Sequence, residues 1–316
     1  MMKLYTTIDI APSAKKIGYG DKVLLLGSCF ADNIGAKFEE HYFQTTINPY
    51  GTLYNPASIA KAVLDMGYGL SGRGLVEHNG FWHSMMHHGR FSHACKEEVV
   101  RACEQSRMEL REALEQASTV IVTFGTAWVY EYEGEVVSNC HKLPANRFVR
   151  RRLTVAEIVE MWQPILAAMS DKHWIFTVSP IRHVKDGLHE NQVSKSILLQ
   201  AVDILISMSH TLSLSSPSSC ISYFPSYEIM LDELRDYRFY AEDMVHPSQV
   251  AVDYIWQRFV DTYMTVETQN EMRALHQLWR DRHHRMLHPE SPEAQQFAAH
   301  IKTRLQELQP RYPWIK

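Results

Sequence analysis

The 316-residue chain has no uninterrupted apolar run of about 18 residues, the length a helix needs to cross a bilayer. Its start, Met1-Met2-Lys3-Leu4-Tyr5-Thr6, carries no apolar signal segment. Positive charge is not in excess either: 32 Lys and Arg stand against 36 Asp and Glu, a formal net charge of −4, which gives no basic field for nucleic acid. Cysteine is scarce, five in all, with no Cys-x-x-Cys pair, which argues for reduced thiols and against a disulfide framework. Internal repeats and low-complexity tracts are missing too, and Ser213 to Ser219 reads as a brief polar loop. These absences leave a soluble, cytoplasmic protein with no call for a cofactor, a membrane or a nucleic-acid partner. Its hydrophobic content of 45% is enough for one large core with additions.

Apolar strand-like runs alternate with helical patterns along the chain. The runs are Val23 to Leu26, Gln44 to Ile47, Val120 to Phe124, Trp174 to Val178 and Cys220 to Phe224. Helical spacing separates most of them, at about Ala31 to His41, Glu97 to Ala117, Thr154 to Ser170 and Asn191 to Ser209. Such alternation predicts an α/β fold of three layers, α/β/α, with a central, mostly parallel five-stranded sheet. Active sites on these sheets lie beyond the carboxyl ends of the strands, which would bring Ser28, Gly51, Gly125, Pro180 to His183 and the Asp243 to His246 loop to one edge.

Ser28 stands directly after the first run and just ahead of a helix, whose free N–H groups and dipole favour developing negative charge. Alone, a Gly-Ser after a strand is more often a turn with an N-cap. Asp243-Met244-Val245-His246 adds a base and an acid that can fold back onto the imidazole Nδ1, leaving Nε2 to face Ser28. Ser28, Asp243 and His246 then make a complete triad, with Pro247-Ser248 starting a helix packed by Val250, Ile255 and Phe259. Cys29 is adjacent, and a thiol one residue further on is expected to point elsewhere and serve as packing.

The pentapeptide Gly27-Ser28-Cys29-Phe30-Ala31 resembles the signature of the GSCFA family, which itself looks like a branch of the SGNH/GDSL hydrolase superfamily. The resemblance extends over most of the first ~260 residues, the size of one α/β domain with additions, through Asn48-Pro49-Tyr50-Gly51-Thr52-Leu53-Tyr54-Asn55-Pro56, Thr123-Phe124-Gly125-Thr126-Ala127-Trp128 and Ser179-Pro180-Ile181-Arg182-His183. It implies a flavodoxin-like SGNH hydrolase fold and an oxyanion hole built from the nucleophile's N–H, a glycine N–H and an asparagine side chain. By position these carry over to Ser28 and Gly51. The asparagine is absent at Gly125-Thr126-Ala127-Trp128, leaving Thr126 or Asn48 as the substitute donor. Losing one such donor costs about 10²–10³ in turnover.

His83, His87, His88 and His93 invite a metal reading, since His83 and His87 would share a face if that stretch were helical. No acidic or thiol ligand completes the pattern, so the segment reads as a loop or short hairpin beside the site, with an imidazole such as His88, or Arg90, touching substrate. Arg182 and His183 follow a strand and point to the same pocket, while Asn191 would cap the next helix or brace that turn. Residues from about Met66 to Cys95 are dense in glycine and predict loops and short strands, with a lid as one role open to them. The hydrolase-like domain is thus drawn as residues 1–265, with this insertion at about 66–95. Residues 266–316 form a helical extension with stripes at Met272, Leu275 and Trp279 and at Phe297, Ile301, Leu305 and Leu308. The stripes serve either docking on the domain or homo-oligomerisation. The expected function is a serine esterase or acylhydrolase acting through an acyl-enzyme on Ser28, on a small-molecule or carbohydrate ester. An acyltransferase with the same triad, or a binding protein of decayed activity, stands as the alternative.

Overall fold

The computed structural model describes residues 6–64, 74–212 and 220–315. Along the chain run β1 (Lys22–Gly27), α1 (Cys29–Glu40), β2 (Gln44–Ile47), α2 (Pro56–Leu64), β3 (Leu75–His78), β4 (Phe81–Ser84), α3 (Lys96–Gln116) and β5 (Thr119–Phe124). There follow β6 (Trp128–Tyr132), β7 (Glu135–Val137), β8 (Val149–Arg152), α4 (Val155–Ala168), β9 (His173–Val178), α5 (Leu188–Leu212) and β10 (Cys220–Tyr223). The chain closes with a short α6 (Ser226–Glu228), α7 (Gln249–Tyr263), α8 (Val266–His283) and α9 (Pro292–Leu308).

The five runs read as strands form one parallel sheet in the order β10-β9-β5-β1-β2. Among these five the order is 2-1-3-4-5, the doubly wound arrangement of flavodoxin-like sheets, and it reverses direction between β1 and β5. Period-2 alternation explains why both faces are covered. Leu24, Leu26, Val120, Val122, Phe124, Trp174, Phe176 and Val178 meet α2, α3, α4 and α5 on one side. Val23, Leu25, Ile121 and Ile175 meet α1 and α7 on the other. The result is the expected three-layer α/β/α stack.

Two features were not foreseen. A separate three-stranded antiparallel sheet, β7-β6-β8, follows β5, and α2 is inserted after β2. In α2 the Asn55 side chain caps the first turn by accepting from Ser58 N–H at 2.8 Å, and nearly every residue is buried, so no amphipathic stripe announced it. Gly67, Gly69 and Gly72 of the glycine-rich stretch lie outside the described residues, as does Ser213 to Ser219. From Gly74 on, that stretch is the antiparallel β3–β4 hairpin and a single 3₁₀ turn at Gly89–Phe91.

In α7, Ile255 and Phe259 are buried as expected, but Val250 faces out at 64% exposure and Ala251 and Val252 take its place in the core. Ser291 caps α9 and Pro292 opens it. Met272 and Leu275 of α8 join the α1–α7 core, with Leu278 rather than Trp279 as the third buried member of the stripe. The last residues dock as well: Tyr312 meets Tyr19 edge-on at 5.2 Å, and Trp314 Nε1 donates to the Tyr42 carbonyl at 2.8 Å. Among the described residues no helix is long and apolar enough to cross a membrane.

β1 ends on Gly27 at φ 137°, where a Cβ would stand 2.2 Å from the Thr123 carbonyl oxygen of β5. Gly27→Ala should therefore lower the unfolding free energy by more than about 2 kcal/mol in a urea titration. An unchanged midpoint would mean that the two backbones can part at no cost.

Candidate active site

Backbone bonds knit together the loops that leave the carboxyl edge of the sheet. Leu53 N–H donates to the Gly27 carbonyl at 2.9 Å, and Gly125 and Thr126 N–H both donate to the Tyr54 carbonyl, at 2.8 and 2.9 Å. Ser179 N–H donates to the Phe124 carbonyl at 2.8 Å and Arg182 N–H to the Val245 carbonyl at 3.2 Å. The segments at Ser28, Gly51, Gly125, Pro180 and Asp243 thus meet around the point where the sheet order reverses.

His246 Nδ1 lies 2.6 Å from Asp243 Oδ2, and the other carboxylate oxygen accepts from the Val245 and His246 N–H groups, both at 2.9 Å. Met244 between them takes φ 57°, which lets the loop turn back on itself within four residues. The His246 N–H first, then its ring and the Val245 N–H, hold the Asp243 carboxyl down at about 2. It is therefore a fixed anion beside the imidazole.

The other ring nitrogen, Nε2, lies 3.8 Å from Cys29 Sγ. Ser28 is 1% exposed, and its hydroxyl folds over the start of α1 to accept from Phe30 N–H at 3.4 Å. The expectation that the imidazole faces Ser28 while the thiol points away is corrected here. At a strand-to-helix turn the N-cap side chain bends back onto the first-turn N–H groups, so the next residue is the one that projects from the elbow.

Cys29 is half-buried and its thiol stands above its usual value: burial, then Asp32, push it up, against the pull of its own N–H, Lys195 and the Phe30 N–H. The first-turn N–H groups of Cys29 and Phe30, which no earlier carbonyl of α1 can accept, therefore attend the sulfur.

The expected oxyanion donors are spent elsewhere. Ser28 N–H continues the ladder to the Thr123 carbonyl at 3.1 Å, and Gly51 N–H closes a turn onto the Asn48 carbonyl at 2.7 Å. Thr126 Oγ1 lies 3.0 Å from Ser194 Oγ and accepts from Trp128 N–H at 3.1 Å. Asn48, 2% exposed, accepts from Gly27 N–H at 2.8 Å and donates to Asp32 Oδ1 at 2.7 Å. It is a brace between β1 and α1, and both Asn48 and Thr126 have protein partners in this structure.

Of the expected substrate contacts, His88 packs over Gly51, bonds the Tyr50 carbonyl through its N–H at 2.9 Å, and caps the turn at Gly89 by accepting from Arg90 N–H at 3.2 Å. Arg90 donates to the Asn48 and Pro49 carbonyls, at 3.0 and 3.4 Å. Arg182 anchors the His246 loop, its Nη1 donating to the Met244 carbonyl at 3.1 Å while the guanidinium lies over Tyr240. His88 and Arg90 are held by these scaffolding contacts, while Arg182 also lines the cleft beside the His246 loop. His183 stays at the site, edge-on to Tyr54 with ring centroids 6.4 Å apart, its N–H held by Asn191 Oδ1 at 2.9 Å.

His83 lies in β4, so the helical spacing with His87 does not arise; it bonds Ser92 Oγ at 2.7 Å. His87 is held between Ser84 and Ser106 hydroxyls at 2.8 and 3.1 Å. Among the described residues, no three His, Cys, Asp or Glu gather as a metal-binding group. Lys195 of α5 is buried at the site with its Nζ on the Gly125 and Ser179 carbonyls, at 2.6 and 2.7 Å.

A model described as the GSCFA family matches residues 22–259, well over half of the chain. Comparison with curated proteins and with solved structures finds no match.

Burial holds four imidazoles neutral: His41, His173 and His183 are pushed down to about 4 and His87 to about 3. Their folded values lie below the unfolded one of about 6.5, so the stability they contribute is whole above that pH and drains as pH falls toward 4. The urea midpoint should therefore drop between about pH 6.5 and 4, and less steeply in His87→Gln. Coincident slopes for the two proteins would contradict the neutral, buried state of His87.

Proposed function

The chain belongs to the GSCFA family, and from that premise we propose that it is an acyl-transferring hydrolase, related to the SGNH/GDSL enzymes, that works through a thioester on Cys29. One observation carries the reading: Cys29 Sγ, the His246 ring and the Asp243 carboxylate form a continuous line, 3.8 Å from sulfur to Nε2 and 2.6 Å from Nδ1 to carboxylate. That is the order of nucleophile, base and orienting acid.

In this mechanism Cys29 Sγ forms a bond to the carbonyl carbon of an ester while its proton passes to His246 Nε2. The tetrahedral oxyanion collapses, the carbon–oxygen bond breaks, and the alcohol leaves with the proton from His246. Water then attacks the thioester, His246 takes its proton and returns it to sulfur, and the free acid departs. Asp243, ionised throughout, keeps Nδ1 protonated and steadies the imidazolium. The Cys29 N–H at the head of α1 is the donor best situated for the oxyanion, since the sequence-expected donors are engaged elsewhere.

A cleft of about 300 Å³ adjoins the His246 loop and shares Arg182 with it, its wall carrying Tyr227, Tyr237 and Tyr240 beside Asn191 and Gln192. Leu188, Met230, Leu231 and Leu234 complete a wall that is apolar with polar groups at Arg182, Asn191, Gln192, Arg235 and Asp236, which suits an ester with an apolar acyl part and a polar alcohol, an acylated carbohydrate among them. An acceptor alcohol entering in place of water would make the same triad an acyltransferase. A second reading, a binding protein of decayed activity, draws on the missing asparagine and the engaged Gly51 and Thr126.

Turnover of p-nitrophenyl acetate in single variants separates these readings. Cys29→Ala should remove it, by about 10³-fold or more, and His246→Ala comparably. Ser28→Ala should keep turnover while losing about 1 kcal/mol of stability with its cap. Turnover that survives Cys29→Ala and vanishes in Ser28→Ala would return the nucleophile to Ser28. Absence of turnover and of Cys29 labelling by iodoacetamide in the folded, unaltered protein would favour the binding protein.

A further inference from the structure

Lys195 is 1% exposed, and among the described residues no carboxylate pairs with it. Lys172, also buried, differs in having Asp171 at 3.5 Å. The two carbonyls on Lys195 Nζ, those of Gly125 and Ser179 at 2.6 and 2.7 Å, satisfy hydrogen bonds but leave a positive charge unanswered in the interior.

What answers it lies across Gly125. That residue packs flat against the nucleophile turn, so that a Cβ on it would stand 3.3 Å from Ser28 Cβ, and the ammonium sits immediately behind the peptide that touches it. Burial pushes the amine down to about 7, and the one charged neighbour that pulls it back up is Cys29. Lys195 in turn lowers the thiol.

We propose that Lys195 is a positioning residue, which clamps the loops after β5 and β9 through the Gly125 and Ser179 carbonyls and, when protonated, favours the Cys29 thiolate. The role rests on Cys29 being the nucleophile. Other titratable groups share the space and enter its pH dependence. From α1 come Cys29 itself and Asp32, which raises the thiol; from the loop after β9 comes His183, kept neutral by burial and then by Lys195. His246 approaches from the opposite side, and from α6 the Tyr227 ring lies 5.5 Å from Nζ. Among the described residues no carboxylate is hydrogen-bonded or ion-paired to the ammonium, and Cys29 is the group whose charge favours its protonated form.

The test reads thiolate formation and needs no substrate. Iodoacetamide alkylation of Cys29, followed peptide by peptide in a mass spectrometer across about pH 5 to 10, reports the thiolate fraction. In Lys195→Met the inflection should move to higher pH by about one unit or more, making alkylation near pH 7 about tenfold slower, with the same limiting rate in alkali. Superimposed profiles would overturn the proposal. Should Lys195→Met fail to fold, the reciprocal measurement decides it, because coupling between two sites acts equally in both directions. In protein labelled with ¹³Cε-lysine, removing the thiolate by Cys29→Ala should lower the Lys195 titration midpoint, and an unchanged midpoint would overturn the proposal. A Cys29 that resists alkylation at every pH in the unaltered protein would overturn the nucleophile itself, and the lysine's role with it.

Discussion

The approach of β1 to β5 at their carboxyl ends is the constraint on which the site depends. Gly27 lies so close to the Thr123 carbonyl that no side chain fits, and the ladder continues one residue further through Ser28 N–H. With its N–H committed to the sheet and its hydroxyl turned to the helix, Ser28 hands the chain over from extended to helical backbone at a fixed angle. Cys29 is then the first helical residue, projecting where the sheet order reverses and where the His246 loop descends. The same glycine N–H is held by the Asn48 side chain, which also grips Asp32 of α1, so the elbow is tied on both sides.

The electrostatics of that elbow oppose one another in an orderly way. Burial and Asp32 work against a thiolate, while the head of α1 and the ammonium of Lys195 work for it. His183 is kept neutral and adds no competing charge, whereas Asp243 is held anionic by three donors and orients the base. A half-buried thiol in such surroundings ionises less readily than a free one, and in the proposed reaction His246 and Lys195 both favour its thiolate.

Much of the architecture was legible because apolar runs with period 2, separated by helical spacing, leave few alternatives to a doubly wound sheet. The Asp243 to His246 loop was legible because a carboxylate three residues before an imidazole has few other ways to bond it. α2 was hidden by its burial on nearly all sides, and β6 to β8 by short strands whose arginines read as surface charge; Arg150 in fact lies over Trp128 at 3.9 Å. Ser28 stands ahead of a helix, the place of a cap, and its hydroxyl accepts from the Phe30 N–H. Lys195 stands out in the sequence as a charged residue at an apolar position. It falls in line with Leu198, Val202 and Leu205, a lysine set into the apolar stripe of α5, and that placement obliges the core to accommodate a cation.

The central claim is that acyl transfer passes through sulfur. The most direct measurement is to quench the protein in acid during reaction with an activated ester and identify the acylated residue by mass spectrometry, with and without neutral hydroxylamine. The account predicts one acyl group on Cys29, released by hydroxylamine as a thioester is. An acyl group on Ser28 that survives this treatment would contradict it.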